Sequence, residues 1–311
     1  MSVRVAALDC GTHSLRLLIA DVDLAEGTLV DVVRTMTIVR LGAGVDANGA
    51  LAPAAIERAA ATTRDYRAII DAHAVDRVGM VATSAARDAS NADEFRAAIE
   101  VALGIAPSII SGPEEAELSF IGATRTSGLA QDAQVLVCDI GGGSTELVLG
   151  DSTGVVAARS VDVGCVRMTE RHVSSDPMTP SERRSIAADV DAALDLVHEV
   201  VPWEQAAAIV CVAGTATTIA GIHLELPEYD PVAINGARVP LASLSAISDR
   251  LCRATAAERA AIPVMHAGRV PVIAAGSVVL QRVLERVRLP EFSASEHDIL
   301  DGLALRLAAT K

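Results

Sequence analysis

Residues 135–150 read VLVCDIGGGSTELVLG, and their reading decides the fold. Val135, Leu136, Val137 and Ile140 form an apolar run of strand length, and Leu147, Val148 and Leu149 form a second. Between the runs lie Asp139, then Gly141, Gly142 and Gly143, then Ser144, Thr145 and Glu146. The pattern predicts strand, tight turn, strand. Glycine lets the backbone take positive φ and lets a bulky anion approach the amides. A hairpin needs only a couple of turn residues, so three glycines bracketed by two carboxylates point to a phosphate-and-metal site. The same letters also suit an ordinary glycine-rich hairpin.

The repetition of the stretch favours the first alternative. Residues 5–20 read VAALDCGTHSLRLLIA. Aligning Asp9 with Asp139 puts Gly11 on Gly141, Ser14 on Ser144 and Arg16 on Glu146. A second pair follows at nearly the same interval, Met80-Val-Ala-Thr-Ser-Ala85 after the first hairpin and Val212-Ala-Gly-Thr-Ala-Thr217 after the second. Each reads as a strand ending in small and hydroxyl residues that open a helix, a second anion-binding geometry. Two similar lobes are therefore expected, at 1–124 and 125–311, facing each other across a cleft with four anion-binding corners.

This arrangement resembles the actin-like ATPase superfamily and, within it, the exopolyphosphatase and guanosine pentaphosphate phosphohydrolase (Ppx/GppA) family. The stretches that carry the resemblance are the two hairpins, Ala82-Thr-Ser-Ala-Ala-Arg87, Ser111-Gly-Pro-Glu-Glu-Ala116, Gly164-Cys-Val-Arg-Met-Thr-Glu170, and the segments around Arg269 and Ser295. The resemblance covers essentially the whole chain. It implies an α/β fold of two ribonuclease-H-like (actin-like) domains, each with a mixed five-stranded sheet, around a central cleft.

Composition bounds the function. The chain has 311 residues, enough for two domains with cores of their own. About half are apolar, but aromatic residues are scarce, so Ala, Val, Leu and Ile must build the core. The single lysine is Lys311, so arginine must make any side-chain cation contact to phosphate. A net charge of −14 argues against general nucleic-acid binding, which favours a basic surface. A polyanionic substrate then needs local arginines and bound cations. The five cysteines show no metal-ligand spacing and read as buried thiols. No signal peptide or membrane-spanning stretch is evident, so a cytoplasmic location and no membrane partner are expected.

Along the chain, a third strand is expected at 30–39, and Pro53 opens an amphipathic helix. Asn91 with Glu94 reads as a capping box, and Ser111 with Glu114 as another. A polar, glycine-containing hinge is expected at 123–132. Thr179-Pro-Ser-Glu182 caps a long helix, 269–287 reads as a helix interrupted by Pro271 and Gly276, and 296–309 as a closing helix.

Hydrolysis of a terminal phosphoanhydride depends on positioning and electrostatics. Backbone amides of the two turns, with the side chains of Thr12, His13, Ser14, Ser144 and Thr145, can cradle phosphates. Gly11, Gly141, Gly142, Gly143, Gly214 and Thr215 belong to the same substrate-binding set. Asp9, Asp139 and Glu146 are the candidate ligands for Mg²⁺, with Mn²⁺ as the alternative, because hard cations take oxygen donors. Glu115 matches the family's catalytic glutamate, the second of its Glu-Glu pair, and the resemblance makes it the base. Arg87 matches a phosphate-gripping arginine and Arg269 another near the cleft. For Arg16 and Arg269 a structural salt bridge is an equal alternative.

Three departures from the family pattern bear on the second lobe. Ala213-Gly214 lacks the double glycine of relatives that bind adenosine, Pro271 replaces an acidic residue, and Leu300-Asp301-Gly302 replaces Arg-Glu-Gly. The resemblance implies inorganic polyphosphate as substrate, with a preference for short chains, in a homodimer. Guanosine pentaphosphate (pppGpp) is the close alternative. An actin-fold kinase and a non-catalytic phosphate sensor are alternatives from other classes.

Overall fold

The computed structural model describes residues 2–124 and 133–310. Within the hinge expected at 123–132, residues 125–132 lie outside them. The chain separates into two compact units, Met1–Gly122 with Ile299–Lys311, and Ala123–Asp298.

The first unit is built on a mixed five-stranded sheet of β1 (Val3–Cys10), β2 (Ser14–Asp23), β3 (Thr28–Ile38), β4 (Arg77–Ala82) and β5 (Ser108–Ile109), in the order β3-β2-β1-β4-β5. β1 pairs antiparallel with β2 and parallel with β4. The alternation of a strand sends Ala6, Leu8 and Cys10 into one core, with Ile56, Tyr66, Phe95 and Ile99 from the helices Pro53–Asp71 and Ala92–Leu103. Val5 and Ala7 face a second core with Leu118, Ile299 and Leu303. Both faces of β1 are thus covered, which explains its unbroken apolar run.

The closing helix, Ile299–Ala309, therefore belongs with the first unit, whereas the lobe expected at 125–311 includes it. The apolar face of β1 and β2 needs its cover. Arg34 on β3 fixes it with a 2.7 Å ion pair to buried Asp301.

The second unit repeats the scheme with β6 (Val135–Ile140), β7 (Thr145–Asp151), β8 (Gly154–Val161), β9 (Ala208–Val212), β10 (Arg238–Pro240) and β11 (Glu291–Ala294). The order is β10-β11-β9-β6-β7-β8, one strand more than expected, because short β10 pairs antiparallel along the outer edge of β11. The helices Ala213–His223, Pro180–His198 and Ile273–Val287 contribute Ile219, Ile186, Val190, Val279 and Val283 to its core.

Two local expectations differ in detail. Asn91 holds the N-cap position without a side-chain cap bond; its side chain instead accepts from Leu51 N (2.8 Å) and donates to Leu51 O (3.0 Å). The stretch at 269–287 is a 3₁₀ turn, Ala267–Arg269, followed by a helix that starts only at Ile273. Pro271 has no N–H to donate, so helical bonding begins after it. Gly276 does not interrupt that helix, because its amide bonds Val272 O. All five cysteines are free and buried. Among the described residues no helix is long and apolar enough to cross a membrane.

Candidate active site

In the first unit the β1–β2 turn is closed by Gly11 N donating to Ser14 O at 3.0 Å. Neighbouring backbone locks it: Val39 N and Arg40 N donate to His13 O, and Gly42 N to Thr12 O. A Cβ on Gly42 would lie 2.3 Å from a Thr12 methyl, so only glycine permits this seating. The Thr12 hydroxyl shares a buried 2.9 Å bond with Ser84. The helix at Ser84–Asp88 has five residues, too short for the macrodipole expected of a helix opening there. What it contributes is Arg87.

Arg87 Nη1 donates to Glu115 Oε2 and to Ile110 O, each at 3.0 Å. Glu115 is buried in the first turn of the helix Gly112–Thr124. Its neighbour Glu114 takes the capping role, accepting from Ser111 N and Oγ at 3.0 Å, and these bonds hold its carboxyl below the usual range. The two adjacent glutamates thus divide: Glu114 closes the helix end, while Glu115 faces Arg87.

Arg16 forms a salt bridge with Asp9, its Nε and Nη2 donating to Asp9 Oδ2 at 3.0 and 2.7 Å. The two residues face each other across β1 and β2. This supplies Asp9 with a cation from within the chain.

In the second unit the β6–β7 turn closes identically, with Gly141 N donating to Ser144 O at 3.0 Å. The first amides of the helix Cys165–His172 hold it from behind. Cys165 N donates to Gly141 O, while Val166 N and Arg167 N donate to Gly142 O; Arg167 Nε donates to Gly143 O at 2.8 Å. Arg167 is thereby a brace for the turn. A Cβ on Gly164 would fall 2.5 Å from Gly142 backbone, which requires glycine there. The amides of Gly142, Gly143 and Ser144 have no acceptor among the described residues, which suits them to an anion.

Asp139 and Glu146 stand directly opposite across β6 and β7. Both are buried. Like charges directly opposite destabilise a sheet, so the pair fits a hard divalent cation that retains several waters. Among the described residues no group of three or more His, Cys, Asp or Glu gathers as a metal cluster. Glu146 Oε1 accepts from Ser160 Oγ on β8 at 2.7 Å, a contact that linear sequence does not reveal.

Thr145 is turned away from this face. It is fully buried and donates its hydroxyl to Val163 O. Thr215 is also buried, against Gly276, whose Cβ would lie 2.7 Å from Thr215 Oγ1.

The start of the helix Ala213–His223 gathers the remaining candidates. A Cβ on Gly214 would sit 1.5 Å from the Arg269 guanidinium, so that guanidinium fills the space a side chain at 214 would take. Ala213 holds φ at 62°, a left-handed conformation that costs an alanine about 1–2 kcal/mol. Burial pushes the nearby Cys165 thiol up, while Arg269 and Thr215 pull it down. Tyr229, which the sequence did not single out, bonds Thr217 Oγ1 at 2.8 Å and Glu296 Oε1 at 2.5 Å. Burial and Glu296 push its hydroxyl pKa up. Only its scarcity as an aromatic residue could have flagged it.

Comparison with known proteins gives the family. The model of the Ppx/GppA phosphatase family matches residues 18–310. Exopolyphosphatase 2 of Mycobacterium tuberculosis is 48% identical over 316 residues, covering 98% of this chain and 98% of that protein. The crystal structure of an exopolyphosphatase-like protein superposes with a TM-score of 0.91 at 41% identity, covering 97% of this chain and 98% of the other. A Ppx/GppA family member from Aquifex aeolicus gives 0.82 at 28% identity, with 98% and 97% covered. A family match across nearly the whole chain, joined to near-half identity with a full-length relative, makes this chain a member of the Ppx/GppA phosphatase family.

Proposed function

We propose that this protein is an exopolyphosphatase that hydrolyses the terminal phosphoanhydride of inorganic polyphosphate, releasing orthophosphate with the aid of Mg²⁺ or Mn²⁺. The observation that carries the proposal is the Arg87–Glu115 pair, a guanidinium held 3.0 Å from a buried carboxylate. The name borne by the M. tuberculosis relative supports the same reaction here.

Glu115 takes a proton from water as the water oxygen attacks the terminal phosphorus. The bond from that phosphorus to the bridging oxygen breaks, and the shortened chain leaves with the bridging oxygen. A positioned base of this kind contributes about 10²–10⁴-fold. Arg87 balances phosphate charge and orients Glu115. The amides of Gly142, Gly143 and Ser144 offer donors to phosphate oxygens, and Arg269 on Gly214 offers a further cation. Asp139 and Glu146 are the residues to hold the cation, which when bound neutralises phosphate charge. A cytoplasmic homodimer with a preference for short chains belongs to the same proposal.

Orthophosphate release with Mg²⁺ from short polyphosphate, long polyphosphate, guanosine pentaphosphate and ATP, measured in parallel, tests it. The fastest release is expected from polyphosphate. Turnover of guanosine pentaphosphate alone would move the assignment to that nucleotide, and no release from any of the four would overturn it.

A further inference from the structure

The two sheets align equivalent positions into two rows of different chemistry. In the first unit the register runs Asp9, Arg16, Met36 across β1, β2 and β3. In the second it runs Asp139, Glu146, Ser160 across β6, β7 and β8. Register partners on adjacent strands project from the same face. The first row carries its own cation, since Arg16 is bonded to Asp9. The second row presents oxygen atoms alone, and its outer member donates to Glu146 Oε1 at 2.7 Å.

The geometry points to Ser160 as the positioning residue of a divalent-cation site confined to the second unit, resting on the proposal that Asp139 and Glu146 hold that cation. The Ser160 hydroxyl, anchored on β8, fixes Glu146 Oε1 and thereby sets which carboxylate oxygen is presented beside Asp139. Outer-shell donors of this kind usually weaken metal affinity by about 10–100-fold when removed. In the first unit Arg16 occupies the position equivalent to Glu146, so a second cation is not expected there.

Mn²⁺ alone serves as the probe, its binding read by isothermal titration and by loss of the free-ion electron paramagnetic resonance signal. One Mn²⁺ per chain is expected for the native protein. Glu146→Gln should abolish binding, Ser160→Ala should weaken it by about tenfold or more, and Ser160→Thr should retain it. Ser160→Val, matched in shape to threonine, should behave as Ser160→Ala. Thermal melts without metal identify any variant whose fold is lost, and the Thr/Val pair keeps the comparison informative in that case. Native affinity in both Ser160→Ala and Ser160→Val, with Glu146→Gln still defective, would overturn the role of Ser160 and leave the cation site standing. Native affinity in Glu146→Gln, or no Mn²⁺ binding by the native protein, would overturn both. A stoichiometry of two would overturn confinement to the second unit.

Discussion

Gly214 and Arg269 show how one side chain's position depends on the absence of another. The Arg269 guanidinium occupies the volume in which a Gly214 Cβ would stand, at 1.5 Å. Because the obstructed group is the end of a flexible side chain, Gly214→Ala should leave the fold intact and push Arg269 aside. We expect KM for polyphosphate to rise by about tenfold, as for loss of one charge-assisted contact of ~1.5–3 kcal/mol, with kcat changed less. Steady-state kinetics and a thermal melt separate this from misfolding; an unchanged KM would remove Arg269 from substrate binding. Sequence made Arg269 and Glu115 visible only through family resemblance. The salt bridge open to Arg16 was legible as an alternative, but its partner Asp9 and the Ser160–Glu146 bond were not, because both depend on cross-strand register. The inward turn of Thr145 was legible in principle: the two-residue period of a strand sends Thr145 and Glu146 to opposite faces.

Helix placement depends on similarly tight contacts. A Cβ on Gly302 would meet the Leu118 carbonyl oxygen at 2.0 Å, so the closing helix and Gly112–Thr124 approach through a glycine. Leu118 is three residues beyond Glu115, and this obstacle is backbone. Gly302→Ala should therefore destabilise the protein by about 1–3 kcal/mol and lower kcat by shifting Glu115. Urea denaturation and kinetics on the same sample check both, and native values for both would contradict this packing. A second helix carries a pH dependence. Glu182 accepts from Ser174 N (2.8 Å), Ser175 N (3.1 Å) and Thr179 N (2.7 Å), besides two hydroxyls. The amides of Thr179 and Ser174 lower its pKa from 4.5 to about 2. A depressed carboxyl stabilises the fold above its unfolded pKa, and that contribution disappears as pH falls from about 4.5 towards 2. Glu182→Gln should thus cost about 1 kcal/mol at pH 7, the usual worth of a cap. The difference in Tm from the native protein should narrow on titration from pH 5 to pH 3; a constant gap would contradict the charged cap. The Thr179–Glu182 box was plain in sequence because its spacing is local, whereas the Asn91–Leu51 pairing that displaced an expected cap joins distant segments.

Across the whole chain, the duplicated hairpin made two α/β units legible, because both copies keep the aspartate, glycine and serine at matching positions. Return of the closing helix to the first unit was not legible, since it depends on which apolar sheet face lacks cover. The copies have diverged in chemistry more than in shape: one pairs Asp9 with arginine, and the other opposes two carboxylates. A net charge of −14 repels a polyanion at long range, so on the proposed function local arginines and a bound cation must offset it. In the proposed reaction Glu115 deprotonates the attacking water. Orthophosphate release from polyphosphate by Glu115→Gln, with Mg²⁺ at saturating substrate, tests it most directly. The expected result is a kcat lowered by about 10²–10⁴-fold with polyphosphate still bound and the melting profile native. A variant that releases orthophosphate at the native rate would contradict it.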